Sequence, residues 1–102
     1  MRMELPMTVD DLRKQKRSAI ISIAGRHGVT GIRVFGSFAR GEARADSDID
    51  LLIETGPFRT PFFPGGLIAD LEAELCRRID VTTKSALHPL LRDQVLREAV
   101  PL

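Results

Sequence analysis

Residues 36–53 read GSFARGEARADSDIDLLI, and this stretch decides the fold. A Gly-Ser pair follows the apolar run that ends at Phe35, and a second glycine comes five residues after the first. Two aspartates, Asp48 and Asp50, then stand one residue apart at the head of another apolar run. Residues i and i+2 of an extended strand point to the same face. We therefore predict that the two carboxylates project side by side while the apolar residues of the run face a core.

The paired carboxylates of Asp48 and Asp50 predict a metal site. Two carboxylates held together repel each other unless a cation lies between them or one of them is protonated. Mg²⁺ suits such a pair because it takes oxygen ligands and commonly binds substrate phosphates at the same time. The alternative is a strand edge with two solvated carboxylates, which an isolated Asp-X-Asp would favour. The complete pattern of residues 36–53 favours the metal site.

The Gly36-Ser37 turn predicts a phosphate site. A strand that leads through a Gly-Ser turn into a helix presents backbone N–H groups to an anion. The glycine lets a phosphate approach the backbone closely, and the Ser37 hydroxyl can donate to a phosphate oxygen. The alternative is an ordinary strand-to-helix turn in which Ser37 caps the helix.

Asp80 is a candidate third carboxylate. It lies in the run Ile79-Asp80-Val81, which predicts a strand whose apolar residues face the core while Asp80 faces the other way. If this strand lies beside the strand that begins at Asp48, Asp80 joins the same cluster. Two-metal enzymes hold their ions about 3.5–4 Å apart, and three carboxylates suit that arrangement. The alternative is an exposed aspartate on a strand.

The spacing of these residues resembles the nucleotidyltransferase superfamily that includes the DNA polymerase β palm. The matching positions are Gly36-Ser37, Gly41, Ser47-Asp48 and Asp50-Leu51. The short chain is similar to the minimal nucleotidyltransferase branch, whose members are often paired, as antitoxins, with a HEPN-domain toxin. The resemblance extends from about Ile32 to Val81, with a flanking helix at each end.

The resemblance implies a Mg²⁺-dependent enzyme that uses two metal ions and a nucleoside triphosphate, with ATP as the expected substrate. It assigns catalysis and metal binding to Asp48, Asp50 and Asp80, and nucleotide binding to Gly36, Ser37 and Arg40. AMP would pass to a hydroxyl of a partner protein, a HEPN toxin modified on tyrosine. Two alternatives stay open: an antitoxin that acts by contact without transfer, and transfer to a small molecule such as an aminoglycoside.

Length and composition predict one domain over residues 1–102. Hydrophobic residues make up 43% of the chain and charged residues 28%, which is typical of a globular protein. The net charge of +1 does not favour nucleic acid as a partner. The single cysteine, Cys76, is expected in a core and excludes an internal disulfide. With no long apolar run and no apolar leader at Met1–Pro6, we expect a cytoplasmic protein without a membrane span.

Periodicity predicts an α/β (α+β) chain with the element order α-β-α-β-α-β-α. We expect a small mixed sheet with helices on one face, as in the polymerase β palm. The expected helices are Thr8 to about Gly25, a short one after Ser37, Leu67 to about Arg78, and Pro89 to about Val100; the expected strands are Ile32–Phe35, Asp48–Glu54 and Ile79–Thr83. The loop over residues 55–66 carries Phe58, Phe62 and Phe63, and we expect a partner to dock beside it.

Overall fold

The computed structural model describes residues 5–102, and in that range the chain forms five helices around a four-stranded sheet. The helices are α1 (Val9–Gln15), α2 (Arg17–Arg26), α3 (Gly36–Arg40), α4 (Gly65–Leu75) and α5 (Pro89–Glu98). The strands are β1 (Val29–Phe35), β2 (Ile49–Thr55), β3 (Ile79–Thr83) and β4 (Val100–Pro101). Residues 1–4 lie outside the described range. They belong to the predicted domain and to Met1–Pro6, the segment in which we expected no apolar leader.

The sheet has the strand order β3-β2-β1-β4. Strand β1 runs antiparallel to both β2 and β4, whereas β2 and β3 are parallel. The predicted mixed sheet is therefore confirmed. Strand β4 was not predicted, because a two-residue strand leaves no alternating pattern. The last helix ends at Glu98, and Val100, expected at its end, instead pairs with Val34 of β1.

The first helix is broken into α1 and α2, where the sequence predicted one continuous helix. Its start is as expected: the Thr8 hydroxyl accepts a hydrogen bond from the Asp11 N–H at 3.0 Å, and the Asp11 carboxylate accepts one from the Thr8 N–H at 3.2 Å. Lys16 leaves helical geometry with φ −132° and ψ −2°. No side chain between Leu12 and Ile20 is buried, so packing does not hold the two segments on one axis.

Helix α4 ends at Leu75, three residues before the predicted end. Cys76 follows it in the left-handed conformation, with φ 53°, and its N–H donates to the Glu72 carbonyl. The Glu72 carboxylate in turn accepts from the Ile79 N–H at 3.0 Å, which begins β3. The expectation of a core thiol is wrong, because this turn leaves Cys76 exposed.

The core lies between the sheet and the helices. Strand β2 is its centre: Ile49, Leu51 and Ile53 point into it, as the alternating pattern predicted, and all three are almost fully buried. Leu52, on the opposite face of β2, is also buried, so the sheet is covered there as well. No helix among residues 5–102 is long and apolar enough to cross a membrane.

Candidate functional site

The sheet brings the predicted residues to one place. Asp50 is the β2 residue that pairs with Asp80 of β3 on one side and with Phe35 of β1 on the other. Phe35 immediately precedes Gly36, so the Gly-Ser turn begins next to Asp50. Asp48 lies one residue before β2. The expectation that β3 lies beside β2, on which the grouping of Asp80 depended, is confirmed.

The carboxylate of Asp50 is held in an unfavourable environment. Its pKa is raised to about 6, mainly by partial burial and then by the negative charges of Asp80 and Asp48. The positive charge of Arg40 lowers the pKa and offsets part of this rise. Among the described residues Asp50 forms no ion pair. The fold therefore keeps a half-buried carboxylate beside two others without supplying the cation that would stabilise them.

This donor set fits a divalent cation. Carboxylate oxygens are the ligands that Mg²⁺ prefers, and a cation would relieve the repulsion among Asp48, Asp50 and Asp80. In the conformation of residues 5–102, however, no three His, Cys, Asp or Glu side chains converge with metal-binding geometry. A bound ion would therefore require the carboxylates of these side chains to come together by rotation about their χ angles.

Gly36 is required by the close approach of Asp50. Its φ of +73° is a conformation that other L-residues rarely adopt. A Cβ at this position would overlap the Oδ2 atom of Asp50. The sequence predicted a glycine that admits a phosphate to the backbone. The structure adds that the same glycine admits the carboxylate of Asp50 to the turn.

The Gly36 turn and Arg40 already bind an anion, the carboxylate of Glu98 at the end of α5. The Gly36 N–H donates to its Oε2 atom at 3.2 Å, and the Arg40 guanidinium donates to its Oε1 atom at 2.6 Å. The Glu98 side chain is only 14% exposed. Sequence reasoning missed Glu98, since it lies 62 residues from Gly36 and no motif includes it. A phosphate bound by the same two groups would have to replace this carboxylate.

Ser37 lies inside α3 and does not cap it. The helix begins at Gly36, and its N-cap, Phe35, makes no side-chain capping bond. The alternative interpretation, in which Ser37 is the capping residue, is therefore wrong. Within residues 5–102 its hydroxyl makes no hydrogen bond to another protein group, which leaves it available to a ligand beside the Gly36 N–H.

The loop before Asp48 is fixed by Arg77, a residue that the sequence analysis did not single out. The Arg77 guanidinium donates to the backbone carbonyls of Arg44 and Ser47, both at 2.8 Å, and lies over the ring of Phe38 at 4.9 Å. Arg77 is 7% exposed. The next residue, Arg78, is exposed. Because the two arginines are adjacent and chemically identical, the sequence does not indicate which of them is buried.

Two clefts lie near these residues. One of about 370 Å³ opens beside Asp48, between the preceding loop and Arg77-Arg78. Another, of about 650 Å³, lies at the far ends of β2 and β3 and contains none of the three carboxylates. We place the candidate site at the three carboxylates because they can bind a cation, whereas the volume of a cleft does not by itself indicate a reaction.

Comparison with known proteins gives the family. A family model described as a nucleotidyltransferase domain matches residues 14–102. A Methanocaldococcus jannaschii protein, provisionally named a protein adenylyltransferase, is 38% identical over 94 residues, which is 92% of this chain and 97% of that protein. The protein adenylyltransferase MntA of Thermococcus cleftensis is 46% identical over 77 residues, or 74% of this chain and 76% of that one.

Solved structures agree with the sequence matches. One that is described provisionally as a minimal nucleotidyltransferase is 48% identical and has a TM-score of 0.77, covering 94% of this chain and 97% of that chain. A toxin–antitoxin crystal structure with AMP-PNP has a TM-score of 0.70 at 20% identity, covering 84% and 71%, and at this identity shows the fold alone. The resemblance carried by residues 36–51 is confirmed: the chain belongs to the nucleotidyltransferase domain family, as a homologue of the minimal nucleotidyltransferases.

Proposed function

We propose that the protein transfers AMP from ATP to a hydroxyl of a partner protein, and that this partner is a HEPN-type toxin for which the chain is the antitoxin. The observation that carries the proposal is the register of the sheet. It sets Asp50 beside Asp80 on one side and beside the Gly36 turn on the other. Cation ligands and anion donors thus lie next to each other, which is what a metal-bound triphosphate needs.

The relatives support the same activity. Two of them carry the name protein adenylyltransferase, and a fold neighbour is a toxin–antitoxin with AMP-PNP, an analogue of ATP. The chain covers most of each of these relatives. The alternative of contact without transfer is an outcome of the experiment below.

The reaction would be an in-line displacement. The Gly36 N–H, the Ser37 hydroxyl and the Arg40 guanidinium would bind the β- and γ-phosphates, with Glu98 displaced from the first and last of these groups. The acceptor hydroxyl would lose its proton to water, and its oxygen would form a bond to the α-phosphorus as the bond from that phosphorus to the bridging oxygen breaks and pyrophosphate leaves. Two Mg²⁺ ions held by Asp48, Asp50 and Asp80 would neutralise the phosphates and favour the ionised acceptor hydroxyl. Catalysis would then consist of positioning and charge stabilisation.

Co-expression tests the proposal. The chain is produced together with the protein encoded beside it in the genome, and intact mass spectrometry is run on that protein. We expect whole-number additions of an adenosine monophosphate group. The additions should disappear with Asp48→Asn, which removes a proposed metal ligand, and persist with Asp46→Asn, which changes an exposed carboxylate of the same loop.

The contact-only alternative predicts a different result. In that case the two proteins co-purify, yet the partner never gains mass, with either ATP or another nucleoside triphosphate. If the partner gains mass equally with Asp48→Asn, the chain's own carboxylates do not perform the transfer, and the assignment of the site is wrong.

Asp80→Asn should separate binding from chemistry. Asp80 lies on the side of Asp50 away from the Gly36 turn, which is the side where an acceptor would approach. We expect calorimetry to give an ATP affinity in Mg²⁺ within a few-fold of the wild type, and transfer to fall by about 10³-fold. Asp48→Asn is the control, since it should weaken both. Wild-type transfer by Asp80→Asn, with an unchanged melting temperature, would show that this carboxylate has no catalytic part.

A further inference from the structure

The 650 Å³ cleft is strongly cationic. Its lining includes Arg59 from the loop after β2, Lys84 directly after β3, and Arg92 from α5. None of these three forms an ion pair with a carboxylate among residues 5–102. Glu54 is the one acidic residue in the lining. The cleft therefore holds an excess of two positive charges.

Arg92 is the most constrained of the three cations. Its Nε atom is buried and has no hydrogen-bond partner in the described part of the chain. A buried N–H without a partner is destabilising, so an acceptor at this point would be favourable. Arg59 is also held in place, because its guanidinium lies over the ring of Phe63 at 5.8 Å, and Phe63 packs on the core.

The cleft shares a face of the sheet with the candidate site. Asp50, Leu52 and Glu54 alternate with the core residues of β2, so their side chains point to the same side. Glu54 lies four positions after Asp50 along the strand, which places the cleft about 13 Å from Asp50. It lies along β2 and β3, on the Asp80 side, whereas the Gly36 turn lies on the β1 side.

Exposed apolar side chains occur in the two segments that supply the arginines of the cleft. Phe58 and Phe62 are 64% and 93% exposed and stand on either side of Arg59 in the same loop, while Leu90 and Leu91 immediately precede Arg92 and are 86% and 53% exposed. Large apolar residues around a charged centre are typical of a protein interface rather than of a nucleic-acid groove. The chain's net charge of +1 also gives little general attraction for a polyanion.

We propose that this cleft binds an acidic segment of the acceptor protein, with one or more of its Asp or Glu side chains bound by Arg59, Lys84 and Arg92. The exposed Phe58 and Phe62 side chains of the loop that carries Arg59 pack against that segment. The bound segment lies about 13 Å from Asp50, away from the carboxylates of the candidate site, so it selects and orients the acceptor. This inference rests on the proposed function for the identity of the bound protein, but the binding itself does not depend on transfer.

Peptide binding tests the proposal on the complete chain. The probe is a short capped peptide of alternating glutamate and alanine, compared with its glutamine counterpart, at low salt. We expect only the glutamate peptide to bind, with amide NMR shifts concentrated at residues 53–55, 83–85 and 92. Lys84→Glu should weaken binding about tenfold or more, because it reverses a charge in the cleft.

Matched variants give the controls. Lys14→Glu reverses another exposed lysine, on α1, and should leave binding unchanged. Arg92→Gln should weaken it without charge reversal. Asp48→Asn should bind the peptide like the wild type, so failure of the transfer reaction would not alter this result.

Three outcomes would overturn the proposal. Lys84→Glu could bind the peptide as tightly as the wild type does. A short oligouridylate could shift the cleft amides while the glutamate peptide does not, which would assign the cleft to nucleic acid. Lys84→Glu could also weaken the binding of Mg²⁺-ATP, which would assign the cleft to the nucleotide substrate.

Discussion

Replacing Asp50 by asparagine should abolish transfer and, at neutral pH, stabilise the metal-free protein. Transfer should fall by about 10³-fold or more, because a proposed metal ligand is lost. Stability should rise because the fold raises the pKa of Asp50 from 3.8 to about 6, mainly through burial and then through Asp80 and Asp48. A complete shift of this size corresponds to about 3 kcal/mol; since the side chain is half exposed, screening reduces it to about 1–2 kcal/mol.

The stability difference between Asp50→Asn and the wild type should depend on pH. Between about pH 4 and pH 6 the folded protein holds a proton on Asp50 that the unfolded chain has released, so wild-type stability falls as the pH rises through that window. Asparagine has no charge to desolvate at any pH. The advantage of Asp50→Asn should therefore be near zero at pH 4, grow to pH 6, and stay constant above it.

Denaturant unfolding in EDTA at several pH values measures this advantage. A variant that is less stable than the wild type at pH 7.5, or an advantage that does not change with pH, would contradict the strain attributed to Asp50. Adding Mg²⁺ supplies the complementary measurement. It should stabilise the wild type, in which three carboxylates lack a cation, and have a smaller effect on Asp50→Asn.

The parts of the fold that could be predicted are those whose physical cause is local. The alternation of Ile49, Leu51 and Ile53 with Asp50 identifies a strand whose apolar residues face the core and whose aspartate faces the other way. The capping box of Thr8 and Asp11 begins a helix through two bonds only three residues apart. In each case the residues that determine the structure are neighbours in the chain, so their pattern is visible in the sequence.

Most of the missed features depend on contacts between distant residues. Glu98 reaches the Gly36 turn from the other end of the chain, and Arg77 binds carbonyls 30 and 33 residues away. Strand β4 exists because β1 offers it a free edge. The helix also breaks at Lys16, whose ammonium group pairs with Glu74, 58 residues away. The local sequence pattern does not indicate which distant residue will contact a given position.

Gly36→Ala should be the most disruptive conservative change at the turn. It combines two costs: about 1–2 kcal/mol for a left-handed alanine at φ +73°, and a further 1–3 kcal/mol for the overlap of its Cβ with the Asp50 carboxylate. The overlap can be relieved only by moving Asp50 or the turn, so we expect transfer to fall by about 10²-fold or more even where the protein stays folded. Thermal unfolding and the transfer assay measure the two effects.

Gly41→Ala is the matched control, because Gly41 has nearly the same φ of +74° but no atom within 4 Å of an added Cβ. It should lose only the left-handed cost and keep transfer within a few-fold of the wild type. The difference in unfolding free energy between the two variants then measures the overlap with Asp50. A double variant of Gly36→Ala with Asp50→Ala should recover part of that difference, since the carboxylate is gone. Equal effects of the two glycine substitutions, and no recovery in the double variant, would mean that the turn tolerates a side chain and that Asp50 does not fix its geometry.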